Sequence, residues 1–229
     1  TVTINGQTTA LQDAFDAWTS TYEGLYPRKA ADGEGQPAAD LVQGEKQYAG
    51  TRVEKPQVLI PVFPGQNCEL DTARRFERAG AQVKQFVLND RTPEALNESV
   101  DQLADEIRKA QILMIVGGFS AGDEPDGSGK FIANVLKNPK IAAAVEAMRK
   151  ENDGLILGIC NGFQALIKSG LLPGGDRLQG KDAPTLFRND IDRHVSRIAR
   201  TRITSTKSPW LQDFKPGQVH SVAFSHGEG

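Results

Sequence analysis

The sequence predicts an α/β fold built on a doubly wound, mostly parallel sheet. Beyond residue 55, segments with a strand pattern alternate with segments with a helix pattern, which is typical of this fold class. Two of the predicted strands, 112–116 and 155–157, are continuous apolar runs, as expected of parallel strands that helices cover on both faces. Ligands of such sheets bind at the carboxyl ends of the strands.

The individual elements follow from local patterns. The predicted strands span 58–63, 82–88, 112–116 and 155–157, and the predicted helices span 69–79 and 93–110. The second helix carries an apolar stripe at Leu96, Val100, Leu103 and Ile107, which is one face of a helix. Three turns each follow a predicted strand, at 64–68, at 117–123 and around Cys160. The fold alone therefore brings these turns toward one edge of the sheet.

The chain is predicted to have three parts. Residues 1–26 contain a short strand at 2–4, a turn at Asn5-Gly6 and a helical pattern. Residues 27–54 are rich in Gly, Ala, Gln and charge with little periodicity, which is typical of a linker. Residues 55–229 form the α/β domain, truncated at its C-terminus. The chain lacks an initiator Met and stops inside its histidine motif, so we expect a segment of a longer protein, with processing or cloning as the alternative explanation for the missing Met.

Composition limits the class of protein. The chain has 229 residues, of which 38% are hydrophobic and 24% charged, with a formal charge of −2, as in ordinary soluble globular proteins. No apolar run approaches the ~18 residues of a membrane span, and no leader or nucleic-acid motif is visible. We therefore expect a cytoplasmic protein without membrane or nucleic-acid partners. Two cysteines, Cys68 and Cys160, argue against a disulfide framework, although the two could in principle pair.

The segment Gly158-Ile159-Cys160-Asn161-Gly162 is the strongest chemical signal. An apolar strand enters it and a helical pattern leaves it, so it has the form of a nucleophile elbow with sulfur in place of the serine oxygen. The N–H groups at a helix N-terminus stabilise a thiolate. The alternative is that Cys160 is a small buried core residue, as most free cysteines are. Cys68, which also follows a strand, is a weaker candidate for the reactive thiol.

A cysteine nucleophile needs a base, and the chain offers three histidines. His226 and Glu228 follow the strand-like segment 219–224 at a spacing of two, so in extended chain their side chains project from the same face. A carboxylate beside an imidazole fixes its tautomer and stabilises the imidazolium. We therefore expect His226 to act as base and Glu228 as its partner, whereas His194 and His220 are expected to be structural.

Four motifs together carry a family resemblance. They are Pro64-Gly65-Gln66-Asn67-Cys68, Gly117-Gly118-Phe119-Ser120-Ala121-Gly122-Asp123, Gly158-Ile159-Cys160-Asn161-Gly162-Phe163-Gln164 and Ser225-His226-Gly227-Glu228-Gly229. This combination resembles the glutaminase domain of phosphoribosylformylglycinamidine synthase in its large single-chain form, a triad-type glutamine amidotransferase with a flavodoxin-like fold. The resemblance runs from about residue 56 to the last residue, and residues 1–26 would be the tail of the preceding synthetase domain.

The resemblance implies roles for particular residues. Cys160, His226 and Glu228 would be the catalytic triad, and the oxyanion hole would use the backbone N–H groups of Gly118 or Phe119 and of Asn161. Gln164 would contact the substrate. The segment 187–194, with Asn189, would help to hold the substrate's α-amino and carboxylate groups. His194 departs from many relatives, which have phenylalanine there.

The resemblance also implies a reaction, namely hydrolysis of L-glutamine to supply ammonia for a glutamine-hydrolysing carbon–nitrogen ligase of purine biosynthesis. ATP and Mg²⁺ are expected in the synthetase part of the same polypeptide, and no cofactor or metal is expected in this chain. The P-loop-like and calcium-loop-like segment 122–130 lacks the required residue spacing. Two alternatives remain open: a catalytically silent regulatory or docking module, and another cysteine-nucleophile amide hydrolase on the same fold.

Overall fold

A computed structural model describes residues 1–25, 39–45, 53–122, 129–174 and 183–228. By contacts between residues, the chain divides into two compact units. The smaller unit comprises Thr1–Gln47 and Phe187–Gly229, and the larger comprises Tyr48–Leu186. The domain boundaries expected from the sequence, at 26 and 54, stay predictions, and most of the expected linker lies outside the described residues.

Within the described residues, the strands are β1 (Val2–Ile4), β2 (Gln7–Thr9), β3 (Gln57–Val62), β4 (Gln82–Val87), β5 (Ile112–Ile115), β6 (Leu155–Gly158), β7 (Val195–Arg202) and β8 (Val219–His226). The α-helices there are α1 (Leu11–Ser20), α2 (Glu69–Arg78), α3 (Pro93–Lys109), α4 (Lys130–Lys137), α5 (Pro139–Glu151) and α6 (Asn161–Lys168). The four strands and two helices predicted between residues 58 and 157 each begin and end within one residue of these bounds.

The larger unit is built on a four-stranded sheet in the order β4-β3-β5-β6. Every neighbouring pair in it is parallel. Because consecutive parallel strands need a crossover, helices connect them along the chain. The predicted α/β fold with a parallel sheet is therefore confirmed.

Apolar residues cover both faces of this sheet. Leu59, Leu113 and Ile115 belong to one buried cluster, which also contains residues of α3, α4, α5 and α6. Their neighbours in sequence, Val58, Ile60 and Met114, belong to a second cluster with Ala73 of α2. Successive strand residues point to opposite faces, so the continuous apolar runs fill two cores at once.

The smaller unit contains two antiparallel strand pairs. β1 and β2 form a hairpin whose turn residues Asn5 and Gly6 both have positive φ, as a two-residue type I′ turn requires. β7 pairs with β8 from Val195↔His226 to Arg202↔Val219. The predicted strand at 219–224 is thus part of β8, which extends to His226. No helix in the described part of the chain is long and apolar enough to cross a membrane.

Candidate active site

Cys160 lies in a strained turn between β6 and α6. Its backbone has φ 55° and ψ −114°, a conformation that residues with a Cβ rarely adopt. The side chain is exposed, and α6 begins at the next residue. Strain of this kind persists only where the surrounding structure enforces it, and it occurs most often at functional sites. The strand, turn and helix expected of a nucleophile elbow are all present.

Packing explains the two glycines that flank Cys160. A Cβ on Gly158 would lie 2.5 Å from Leu166 Cδ1 and 2.8 Å from the carbonyl oxygen of Gly162. A Cβ on Gly162 would lie only 2.0 Å from the carbonyl oxygen of Ile115 on β5. Neither glycine has a positive φ, so their role is close approach of backbone to backbone. The elbow is therefore held by direct packing of α6 on the sheet.

The turn at 117–122 packs against the turn at 64–68. The Phe119 N–H donates to the Gly65 carbonyl at 2.9 Å, and the Ala121 N–H donates to the Pro64 carbonyl at 2.8 Å. Gly118 has φ 124°, and a Cβ there would lie 2.7 Å from Gln66 Cα. The Phe119 N–H is thus already used within the protein. Of the two candidate oxyanion donors in this turn, Gly118 is the one whose N–H has no backbone partner among the described residues.

Gln66 joins the two strands that precede these turns. Its side chain is 8% exposed. Its Oε1 accepts from the Phe63 N–H at 2.9 Å, and its Nε2 donates to the Val116 carbonyl at 3.1 Å. Gln66 belongs to the motif 64–68, but no periodicity or spacing in the sequence predicts this role.

Both cysteines border Gly117. A Cβ on Gly117 would lie 3.2 Å from Cys160 Cβ and 3.7 Å from Cys68 Sγ. Cys68 is exposed and precedes the first residue of α2. The absence of a side chain at 117 therefore leaves room for the nucleophile candidate, and the second thiol borders the same space.

Asn161 and Gln164 stand in the first turn of α6, next to the elbow. The Asn161 side chain is completely buried. Its Oδ1 accepts from the Ser120 N–H at 3.3 Å and its Nδ2 donates to Gln164 Oε1 at 3.2 Å. Gln164 is half-buried. Five of the predicted site residues thus lie around the carboxyl ends of β5 and β6, namely Gly118, Phe119, Cys160, Asn161 and Gln164.

The other three predicted site residues, Asn189, His226 and Glu228, belong to the smaller unit. Asn189 donates from its backbone N–H to the Gly227 carbonyl and from Nδ2 to the carbonyls of His226 and Arg193. Glu228 forms an antiparallel bridge with Arg188. His226 ends β8, and its Nδ1 is buried without a hydrogen bond from the described residues. Asn189 thus supports the backbone of the His226 segment.

The remaining histidines make structural contacts. His194 Nε2 lies 2.9 Å from Ser225 Oγ. The His220 ring packs edge-on against Phe214, with the ring centroids 5.2 Å apart. In the P-loop-like and calcium-loop-like segment, residues 123–128 lie outside the described residues. Among the described residues, no group of three or more His, Cys, Asp or Glu side chains has an arrangement that could hold a metal ion.

Comparison with known proteins places these motifs in a family. The profile of the CobB/CobQ-like glutamine amidotransferase domain matches residues 55–229. Phosphoribosylformylglycinamidine synthase subunit PurQ of Roseobacter denitrificans is 32% identical over 170 residues, which cover 74% of this chain and 64% of that relative. The same subunit of Rhodopseudomonas palustris is 34% identical over 176 residues, covering 74% and 61%. The chain therefore spans less than two thirds of the length of these relatives.

A solved structure extends the similarity to the fold. The structure of PurLQS from Thermotoga maritima matches with a TM-score of 0.56 and 26% identity, over 76% of this chain and 68% of that one. The resemblance to the glutaminase domain of phosphoribosylformylglycinamidine synthase is thus confirmed, whereas the large single-chain form stays a prediction. This chain belongs to the CobB/CobQ-like family of glutamine amidotransferase domains.

Proposed function

We propose that this chain is the glutaminase part of phosphoribosylformylglycinamidine synthase, which hydrolyses L-glutamine and supplies ammonia for purine biosynthesis. The observation that carries the proposal is the exposed Cys160 at φ 55° between β6 and α6. A residue with a Cβ is costly in that conformation, so its presence there favours a chemical role. The PurQ relatives support the choice of this reaction over other amide hydrolyses.

The chemistry follows from the three groups of the triad. The Cys160 thiolate attacks the side-chain carbonyl carbon of glutamine, and the carbonyl π electrons move to oxygen to give a tetrahedral oxyanion. Collapse of this intermediate breaks the C–N bond, and imidazolium at His226 gives its proton to the departing ammonia. A water molecule, deprotonated by His226, then hydrolyses the γ-glutamyl thioester to glutamate and regenerates the thiol. Glu228 stabilises the imidazolium in this scheme.

Two backbone donors would stabilise the oxyanion. The Gly118 N–H is the better candidate in its turn because the Phe119 N–H already donates to Gly65. The second donor would be the N–H of Asn161, in the first turn of α6, where N–H groups point along the axis away from the helix. Losing one such donor typically lowers the rate by about 100- to 1,000-fold.

The released ammonia needs an acceptor, which we propose to be formylglycinamide ribonucleotide in an ATP- and Mg²⁺-dependent synthetase. The PurQ relatives are named as subunits of phosphoribosylformylglycinamidine synthase, which supports a synthetase partner. The single-chain form, with residues 1–26 as the end of the synthetase, rests on the motif resemblance. A cytoplasmic location is part of the same proposal.

Labelling of Cys160 by an electrophilic diazo-ketone analogue of L-glutamine tests this function. The chain would be treated alone and with its synthetase partner, with and without excess L-glutamine, and the modified peptide mapped by mass spectrometry. We expect labelling at Cys160 that glutamine suppresses. Cys160→Ala should abolish it, whereas the matched change Cys68→Ala should leave it intact.

The other outcomes separate the alternatives. Labelling at Cys160 that glutamine does not suppress, or labelling at Cys68, would indicate a cysteine hydrolase with another substrate. No labelling even with the partner present would indicate a silent module. Either result would overturn the proposed function.

A further inference from the structure

The two faces of the ribbon formed by β7 and β8 differ in exposure. Successive strand residues point to opposite faces, so the pairing register sorts the side chains of both strands into two sets. The set that contains His220 and His226 is half-buried at five of its eight positions. The other set, which we call the outer face, comprises positions 196, 198, 200 and 202 of β7 and 219, 221, 223 and 225 of β8, and all of them are exposed. The outer face therefore lies on the side of the ribbon opposite His226.

The outer face is positively charged and carries no acid. Arg200 and Arg202 stand two residues apart on it, so their Cα atoms are separated by about 7 Å. Neither arginine forms an ion pair with another described residue. The sequence has no Asp or Glu between Asp192 and Asp213, and none between Asp213 and Glu228. Because the whole chain has a formal charge of −2, the ribbon concentrates positive charge in an otherwise acidic protein.

Apolar side chains share the outer face with the arginines. Ile198 is 70% exposed and Val219 is 45% exposed. Val219 pairs directly with Arg202, and Ala223 pairs with Ile198. A ribbon of two strands is only marginally stable in water unless other structure packs against it. Covering the outer face would therefore stabilise the ribbon, and the cover must suit both arginine and aliphatic side chains.

These properties select among the possible partners. A second copy bound through the same face would oppose positive charge with positive charge, because a two-fold contact uses one patch on both partners. Nucleic acid is bound mainly through its phosphates, to which Ile198 and Val219 would contribute nothing. A protein surface with carboxylates beside apolar groups is complementary to both kinds of side chain. The synthetase of the proposed function is the protein that this chain must meet to deliver ammonia.

We propose that the outer face of the β7–β8 ribbon docks on an acidic surface of the synthetase part of the enzyme. This inference rests on the proposed glutaminase function. Arg200 and Arg202 form ion pairs with carboxylates of the partner, and Ile198 and Val219 pack against its apolar groups. The docked element is the one that ends in His226, and the contact leaves the His226 side of the ribbon uncovered.

Carbodiimide cross-linking in the complete enzyme tests the contact. The reagent joins an amine to a carboxylate as an amide and takes up the released water as a urea, whereas arginine does not react. Arg200→Lys and Arg202→Lys therefore keep the positive charge and add a reactive amine. We expect new cross-links from both positions to Asp or Glu residues of the synthetase part, mapped by mass spectrometry. Arg75→Lys and Arg78→Lys, at exposed positions of α2, are matched controls that should not link to the same peptides.

Charge reversal tests whether the contact matters for activity. With Arg200→Glu/Arg202→Glu, the glutamine-dependent rate of the complete enzyme should fall at least about fivefold, because like charges would meet across the docking surface. The rate with ammonium in place of glutamine should be unchanged, which shows that the synthetase is folded. The loss should shrink at high salt, since exposed charges are screened. Arg75→Glu/Arg78→Glu changes the net charge equally and should leave both rates unchanged.

Labelling of Cys160 by the glutamine analogue is measured on the same preparations. If glutamine suppresses wild-type labelling, but positions 200 and 202 do not link to the synthetase or the reversal leaves the glutamine-dependent rate unchanged, the docking surface is wrong. Cross-links confined to a second copy or to this chain's own carboxylates would also overturn it, as would bound nucleic acid that the reversal releases. If glutamine does not suppress wild-type labelling, the proposed function itself has failed.

Discussion

Replacing Gly162 with alanine should destabilise the larger unit, although the same change stabilises most helices. Alanine favours an open helix interior by up to about 1 kcal/mol over glycine. At Gly162, however, the new Cβ would lie 2.0 Å from the Ile115 carbonyl oxygen and 2.6 Å from its carbon. Both contacts are to backbone, so no side-chain rotation can relieve them. Helix α6 and strand β5 would have to separate by about 1 Å, the shortfall from the closest real contacts.

The expected size follows from these two opposing effects. Overpacking a well-packed interior typically costs about 1–3 kcal/mol, which exceeds the gain in helix propensity. We expect a net loss of roughly 1–2 kcal/mol in the free energy of unfolding, or a fall in Tm of about 2–8 °C for a chain of this size. The helix N-terminus that carries Cys160 would shift too, so labelling of Cys160 by the glutamine analogue should slow.

Thermal unfolding followed by circular dichroism measures this effect. Gly174→Ala is the control, because a Cβ there meets nothing within 4 Å among the described residues. The control should unfold at the wild-type temperature or slightly above it. A Gly162→Ala protein with an unchanged or raised Tm would show that close packing of α6 on β5 does not explain this glycine.

Three further changes test other parts of the larger unit. In a urea titration, Gln66→Ala should lower the free energy of unfolding by about 1–3 kcal/mol, since it removes the partners of two buried backbone groups. The control Gln85→Ala, at an exposed position, should leave that free energy almost unchanged. Glu106 is 19% exposed and lies 2.6 Å from Lys84, and the hydrogen bond from Lys84 lowers the pKa of its carboxyl. The ion pair contributes at most about 1 kcal/mol to the free energy of unfolding. This contribution is present above the unfolded-state pKa and is lost as pH falls through the lower folded-state pKa. The urea midpoints of wild type and Glu106→Gln should therefore differ at neutral pH and converge in acid. Leu103→Ala, at a position only 1% exposed, should cost about 2–5 kcal/mol, and a loss below about 1 kcal/mol in urea would contradict its place in the core.

Strands β3 and β5 of the parallel sheet were predictable because they are covered on both faces. Runs such as 112–116 leave few alternatives to a buried strand, and the structure places β5 at Ile112–Ile115. No prediction covered β7. Its residues are mostly polar and exposed, and Arg197, Arg200 and Arg202 interrupt any apolar alternation. β7 is ordered by its pairing with β8. The two strands are separated by 16 residues, so a local sequence pattern does not predict the pairing.

The part of the site that lies in short sequence motifs was predictable from the sequence. The elbow at Cys160 was found because glycines on both sides and a strand-to-helix change are local signals. The roles of Gln66 and Ser120 were not found, since each depends on a hydrogen bond to a residue about 40 or more positions away. The choice between Gly118 and Phe119 likewise required knowing that the Phe119 N–H donates to Gly65.

The backbone conformation of Cys160 has a consequence for how this protein would change over time. Holding a side chain at φ 55° and ψ −114° costs roughly 1–3 kcal/mol, and glycine at the same position would be free of that strain. A single nucleotide change converts a cysteine codon to a glycine codon. If selection acted on folding alone, replacement of Cys160 by glycine would therefore be favoured. Cysteine is retained at this position only while selection acts on the function of its thiol.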